Sequence, residues 1–205
     1  MYWHHLRLPA LLAAGMLAFA GCGADDESAR GTAEGNGTDR AFVAAMVPHH
    51  RSAVEMAKIA QNRGQSRFVK RLAGNIIDTQ NAEISTMLRE DQGLENAGVL
   101  PGNLGMSEHE TGMADDPAML RDARPFDRKF IDMMIPHHQG AIRMARVEMA
   151  KGKDSELMAL AEDIVDAQAK EIEEMNAHRK AEFGAASPAG GVPAGGMGSG
   201  SSHSG

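Results

Sequence analysis

The chain contains few of the residues on which many binding sites and folds depend. Its 205 residues include a single cysteine, Cys22, one tryptophan and one tyrosine, and aromatic residues make up only 4%. If Cys22 is used for an anchor, the rest of the chain has no thiol, which excludes disulfide bridges and thiolate metal sites there. The formal net charge is -7 and no basic run occurs, which argues against nucleic acid as a partner.

A long apolar run occurs at the N-terminus and nowhere else. Residues 1–22 hold Arg7, an apolar stretch from Leu8 to Ala20, and small residues before Cys22. This pattern indicates a secretory signal, because a membrane span needs about 20 apolar residues. The flank of Cys22 resembles the bacterial lipobox, in which the cysteine receives a lipid, although Phe19 departs from the usual pattern. We therefore predict an exported, extracytoplasmic protein that is anchored to the membrane through Cys22, with simple secretion as the alternative.

Two further segments lack the apolar periodicity of a folded region. Residues 23–38 are mostly acidic and small, which predicts a flexible tether, and residues 184–205 form a Gly, Ser and Pro tail that we expect to be disordered. The folded part is then residues 39–183. It divides into a first repeat at 39–91, a linker at 92–124 and a second repeat at 125–183.

The most informative feature that is present is a tandem repeat. The stretch MVPHHRSAVEMA begins at Met46, and MIPHHQGAIRMA begins at Met134, which is 88 residues further along. Between Asp39 and Met87, nineteen of 49 positions are identical at this offset, and the alignment needs no gap. Two similar structural units therefore make up the fold.

Each repeat predicts a helical hairpin. In the first helix, the apolar and histidine positions recur at steps of three and four residues, as on one face of an α-helix: Phe42, Met46, His49, Ala53 and Met56. Gly64 and Gly152 follow the first helix of each repeat, and a second helix is expected from about Ser66 to Asp91. Two such hairpins predict an all-α, up-and-down four-helix bundle.

Eight side chains of the repeats are candidate metal ligands. A hairpin turn between residues 64 and 65 would place Gln80 opposite His49 and Glu83 opposite Met46, with the same arrangement in the second repeat. A carboxylate among apolar side chains needs a partner, and imidazole or thioether groups are the neighbours available. The candidates are His49, His50, His137, His138, Met46, Met134, Glu83 and Glu171.

Adjacent histidines are about 100 degrees apart around a helix, so only one of each pair can point at the bundle axis. We expect His49 and His137 to point inward, with His50 and His138 against the flank or a neighbouring helix. Imidazole and thioether without thiolate suit Cu(I), whereas imidazole with carboxylate also accepts Cu(II), Zn(II) or Fe(II). The same residues could instead hydrogen-bond one another and hold no metal.

Three functions fit these residues. The leading interpretation is an extracytoplasmic metal-binding protein, with copper as the favoured ion, which sequesters the ion or passes it on. The alternatives are a structural or partner-binding lipoprotein with a polar core layer, and a ferritin-like di-metal oxidase. The oxidase is disfavoured because no helix carries a Glu-x-x-His motif, so we do not predict an enzyme.

The doubled M-x-P-H-H-x-x-A-x-x-M-A, each followed by D-x-Q-x-x-E-I-x-x-M, resembles the domain of unknown function 305 family. The resemblance covers nearly all of residues 39–183. It implies an exported bacterial protein with a ferritin-like four-helix fold. Some relatives are associated with copper binding and tolerance, so the resemblance also implies copper as the ligand, although family likeness alone is a weak basis for chemistry.

Overall fold

The computed structural model describes residues 34–195, and all regular structure within this range is helical. The long helices form two hairpins, and α1 of the first packs against α4 of the second. This arrangement confirms the predicted all-α four-helix bundle. The elements are α1 at Gly37–Arg63, α2 at Arg67–Asn96, α3 at Glu108–Thr111, a 3₁₀ turn at Pro117–Leu120, α4 at Phe126–Lys151 and α5 at Ser155–Phe183.

The predicted signal segment, Cys22 and residues 23–33 of the predicted tether lie outside the described residues. Within the described residues, no helix combines the length and the apolar character that crossing a membrane requires.

Local sequence sets where the helices begin. The side chain of Asn36 accepts hydrogen bonds from the first amides of α1, and Ser66 and Asp154 do the same for α2 and α5. Because Asn36 supplies this cap, α1 begins at Gly37, slightly before the expected boundary. α2 continues to Asn96, beyond the expected end near Asp91.

Two equivalent carboxylates tie the start of one hairpin to the turn of the other. Asp39, in the first turn of α1, accepts hydrogen bonds of 2.9 Å from the two backbone amides of the turn 153–154. Asp127, in the first turn of α4, accepts hydrogen bonds of 2.8 Å from the two amides of the turn 65–66. The donor amides at 65–66 and 153–154 are separated by the 88-residue offset of the repeat, and so are the acceptors Asp39 and Asp127. The two hairpins are therefore related by a pseudo-twofold axis, and α1 runs antiparallel to α4.

The prediction of a disordered tail does not hold for the first part of the C-terminal segment. Residues 184–195, which we name the C-terminal strap, lie against α4 and α5 instead of forming part of a disordered tail. Gln139 donates hydrogen bonds of 2.9 and 2.7 Å to two strap carbonyls, and Arg146 donates two more of 2.9 Å. Composition could not reveal this contact, because the strap uses backbone carbonyls that every residue possesses. Residues 196–205 lie outside the described residues.

A buried acid lies beside one of the two tying carboxylates. Neither carboxyl oxygen of Glu148 makes a hydrogen bond of good geometry with the described residues, and the side chain is fully buried. Burial raises the pKa of Glu148 to about 9, and the neighbouring Asp39 adds to the rise. Burial also acts to raise the pKa of Asp39, but interactions with Glu148 and with backbone amides outweigh it and lower that pKa. At neutral pH, Glu148 is therefore the protonated member of the pair.

We expect Glu148 to make the protein less stable as the pH rises. The ordinary pKa of this side chain is 4.5, and in the fold it is about 9. Between these values the folded state keeps a proton that the unfolded state has released. The free energy of unfolding then falls by up to about 1.4 kcal/mol per pH unit. Chemical unfolding followed by circular dichroism across this pH range measures the slope.

Glu148→Gln keeps the shape of the side chain and removes its titration, so we expect a flatter stability profile for this variant. Glu162→Gln, at an exposed position of α5, serves as the matched control and should follow the original protein. A Glu148→Gln profile parallel to that of the original protein would show that Glu148 is not the titrating group.

Candidate metal centre

The structure places the eight predicted side chains in the interior of the bundle, with the histidines and glutamates in contact and Met46 and Met134 in two separate apolar clusters. α1 and α4 each supply a methionine and two histidines, and α2 and α5 each supply a glutamate. The methionines and histidines are buried, whereas the glutamate side chains are partly exposed, that of Glu83 by 11% and that of Glu171 by 19%. The α1 residues are Met46, His49 and His50; those of α4 are Met134, His137 and His138; Glu83 belongs to α2 and Glu171 to α5.

His49 and His137 meet where α1 packs against α4. Their ring centroids are 3.7 Å apart and the ring planes are inclined by 33°. Both rings are buried, and no nitrogen of either ring makes a hydrogen bond of good geometry with the described residues, although backbone groups of Thr111 and His137 lie close to the His49 ring. Burial lowers the pKa of both imidazoles well below the usual value, and the neighbouring histidines add to the effect. Both rings are therefore neutral near pH 7, and each retains a nitrogen lone pair that could bind a metal ion.

The other two histidines are held by the glutamates. Nε2 of His50 lies 2.7 Å from a carboxylate oxygen of Glu83, and Nε2 of His138 lies 2.6 Å from one of Glu171. A neutral ring in this position donates its Nε2 proton to the carboxylate, which leaves the lone pair on Nδ1. Nδ1 of each ring is buried without a partner.

The predicted pairing of the glutamates was wrong by about one helical turn. Glu83 was expected opposite Met46, but it bonds His50, four residues further along α1, and the second repeat shows the same displacement. The assumed centre of the hairpin turn was not the cause, because it agrees with the structure to within one residue; the long glutamate side chain instead reaches a histidine one turn away from the position opposite its backbone. In the structure, α1 ends at Arg63 and α2 begins at Arg67.

The polar layer of the bundle is rich in buried atoms that lack hydrogen bonds. Leaving such an atom unpaired costs about 1–3 kcal/mol, and folded proteins contain few of them. A layer of this kind is suited to a ligand that accepts several lone pairs. Its members are the four histidines, His49, His50, His137 and His138, together with the amide groups of Gln80 and Gln168.

The donor geometry limits which ligand sets are available. Within residues 34–195, no three or more side chains of His, Cys, Asp or Glu converge in a way that could hold a metal ion. In addition, nitrogen lone pairs lie in the ring planes, and the planes of His49 and His137 are inclined by only 33°, so the lone pairs of the two rings do not converge on one point. Coordination by His49 and His137 together therefore requires ring rotation, and any site with three or more protein ligands requires rearrangement or thioether donors.

Thioethers flank the histidine layer on both sides. One apolar cluster contains a methionine from each of α1, α2 and α4, and the other contains the equivalent three from α4, α5 and α1. The sets are Met46, Met87 and Met144, and Met134, Met175 and Met56; the second cluster also contains Met133, whose equivalent in the first repeat is Ala45. The sequence-based site named only the first member of each set, although the other four also recur at the offset of the repeat. Methionine sulfur is a soft ligand as well as a core filler.

The linker covers the centre on the α4 side. The end of α3 lies on α4 so closely that a Cβ atom at Gly140 would overlap the carbonyl of Thr111. Gly112, whose φ is 74°, lies equally close: a Cβ there would be 2.5 Å from the carbonyl oxygen of Pro136 and 3.1 Å from Cα of His137. Only glycine allows both approaches.

We expect Gly140→Ala to lift the linker from the histidine layer. The added methyl group cannot fit against Thr111, so the linker must move, at a cost of about 1–3 kcal/mol. Amide hydrogen exchange should become faster in α3 and the flanking residues. Ser52→Ala, at the equivalent position of the first repeat, is the control and should leave exchange in α3 unchanged. Equal exchange in the two variants would refute this close contact.

Comparison with protein families supports the predicted resemblance. The model of the family described as Domain of unknown function (DUF305) matches residues 20–90 and 39–179.

Solved structures show the same fold. The Cu(II)-bound form of CopM is 34% identical and superposes with a TM-score of 0.62, covering 71% of this chain and 97% of CopM. The Cu(I)-bound form of CopM is 32% identical with a TM-score of 0.60, covering 71% and 97% of the two chains. A DUF305 protein from Streptomyces coelicolor is 26% identical with a TM-score of 0.62, covering 73% of this chain and 96% of that protein.

A shorter match links the chain to a viral protein. Uncharacterized protein L153 of Acanthamoeba polyphaga mimivirus is 42% identical over 50 residues. This match covers 24% of the chain and 33% of the viral protein.

Proposed function

The chain belongs to the DUF305 family, and we propose that it is an extracytoplasmic protein that binds copper and sequesters the ion or passes it on. CopM, which shares the fold, has been crystallised with Cu(I), Cu(II) and Ag bound. The apolar segment before Cys22 supports export, and the name of the Streptomyces relative also refers to secretion. Attachment of a lipid to Cys22 is part of this proposal.

The observation that carries the proposal is the buried polar layer between two methionine clusters. Neutral imidazoles and thioethers, without a thiolate, form the donor set expected for Cu(I). In this proposal His49 and His137 supply nitrogen donors and Met46 and Met134 supply sulfur. Glu83 orients His50, and Glu171 orients His138 in the same way. The Nδ1 atom of each of these histidines is then a further nitrogen donor.

We propose a binding protein in preference to an enzyme. A di-metal oxidase of the ferritin type needs several carboxylates and histidines around one centre. The described residues contain no such convergence of three or more groups. The structural alternative, in which the polar layer only specifies the fold, makes a different prediction for stability and can be tested directly.

We expect His49→Leu/His137→Leu to stabilise the metal-free protein while weakening Cu(I) binding. Leucine has a volume similar to that of histidine, and the substitution removes four buried nitrogen atoms that lack partners. Competition with a chromophoric Cu(I) chelator, using the chain from Gly23 onward, should show affinity reduced by at least about a hundredfold, or roughly 2.7 kcal/mol. Thermal unfolding of the metal-free protein should show no loss of stability.

His109→Leu, at an exposed position of α3, is the control and should change neither property. If the polar layer only specifies the fold, the double variant should be less stable and bind Cu(I) as well as the original protein. That result would refute the proposed function.

The thioethers are expected to matter more for Cu(I) than for Cu(II). Met46→Leu/Met134→Leu conserves side-chain volume and removes two soft donors. We expect the double variant to lose about tenfold or more in Cu(I) affinity and to keep most of its Cu(II) affinity. Met113→Leu/Met119→Leu changes two exposed methionines and serves as the control. Equal losses for both oxidation states would exclude a thioether contribution.

A further inference from the structure

A cleft on the outer face of α4 forms a second candidate site, away from the histidine layer. Its volume is about 610 Å³, which is in the range of sites for small organic ligands. One wall is the linker around Met106, the opposite wall is the C-terminal strap at residues 193–195, and Arg143 and Val147 of α4 lie between them. The cleft therefore depends on the two segments that lack regular structure.

Arg143 has a buried donor that none of the described residues satisfies. Its Nη1 atom is shielded from solvent and has no hydrogen-bond partner among the described residues. The other arginine of the cleft, Arg146, is engaged by two strap carbonyls at 2.9 Å. The carboxylate of Glu110 also lines the cleft, but one of its oxygens accepts two hydrogen bonds from Ser107, at 2.8 and 2.7 Å. Glu110 interacts with the charge of Arg143, but no hydrogen bond to Nη1 forms among the described residues, so this donor is available to a bound acceptor.

The charge of the cleft selects an anion. Three cationic side chains, Arg143, Arg146 and Lys151, face a single carboxylate, Glu110, in a chain whose net charge is -7. Two thioethers line the same cleft, but this positive field opposes the approach of a copper cation. A carboxylate, in contrast, matches the planar guanidinium of arginine and forms charge-assisted hydrogen bonds with it.

The first repeat shows that Arg143 is a departure from symmetry. Its equivalent on α1 is Glu55, which lies 4.0 Å from Arg121 of the linker. Each repeat thus carries a charged residue at this position. Each has an opposite charge nearby, Arg121 for Glu55 and Glu110 for Arg143, but Nη1 of Arg143 is buried without a hydrogen-bond acceptor among the described residues.

We propose that this cleft binds a small organic carboxylate with an apolar chain. The carboxylate pairs with Arg143, and the apolar chain lies against Met106, Val147 and Pro193, which are apolar residues of the lining. The proposal does not depend on copper binding, because none of the candidate metal ligands lines the cleft.

Methyl resonances of methionine provide a direct test. In the chain from Gly23 onward, labelled with ¹³C at the methionine methyl groups, titration with hexanoate should shift the signals of Met106 and Met149, which line the cleft. The signals of the buried Met46 and Met134 should remain in place. Hexylamine and 1-hexanol have the same chain without the negative charge, and we expect each to bind at least about tenfold more weakly.

Arg143→Gln should weaken hexanoate binding by at least about tenfold and leave Cu(I) affinity unchanged, which separates this proposal from the proposed function. Lys58→Gln, at the exposed equivalent of Arg146 on α1, is the matched control and should bind hexanoate normally. Equal binding of hexanoate and hexanol, or full binding by Arg143→Gln, would overturn the proposal. Binding that appears only after removal of residues 196–205 would also overturn it and would assign the cleft to the carboxylate at the chain's own C-terminus.

Discussion

The reciprocal hydrogen bonds of Asp39 and Asp127 are the constraint on which the rest of the structure depends. Each carboxylate accepts hydrogen bonds from two amides in the turn of the opposite hairpin. The start of α1 is therefore fixed to the end of α4, and the start of α4 is fixed to the end of α1. Once both ends are fixed, the antiparallel helices must meet at equivalent positions. His49 and His137 come together because they occupy such positions. The histidine centre is therefore a consequence of the pseudo-twofold axis.

The polar layer acts against the stability of the bundle. Two neutral imidazoles in tilted contact gain some dispersion energy, but their four nitrogen atoms lose water without gaining hydrogen bonds of good geometry from the described residues. The hydrogen bonds of His50 and His138 to Glu83 and Glu171 offset part of this loss. The Nδ1 atom of each of these two rings nevertheless has no hydrogen-bond partner among the described residues. Apolar residues of similar volume would fill the layer at lower cost. A ligand that takes up these lone pairs supplies the missing stabilisation, and this argument favours a binding function over a purely structural one.

The repeat made much of this arrangement predictable. Periodicity at three and four residues predicted the helices, and the constant offset predicted that His49 and His137 share one layer. The pairing of Glu83 was misplaced by one turn although the turn itself was placed correctly, because backbone register does not fix which neighbouring side chain a long glutamate reaches. The strap and the Arg143 cleft were missed for a related reason: irregular segments have no periodicity, and their contacts are made largely by backbone groups.

The departures from symmetry show where the two repeats have separate roles. Ala60, Ser52 and Glu55 of the first repeat correspond to Glu148, Gly140 and Arg143 of the second. All three changes lie on α4, where each adjusts one contact: the turn near Asp39, the linker over the histidine layer, and the cleft. A purely symmetric bundle would need none of them. Since the histidines and glutamates of the centre remain symmetric, the differences concern its surroundings, namely the turn near Asp39, the linker over the histidine layer and the cleft on the outer face of α4.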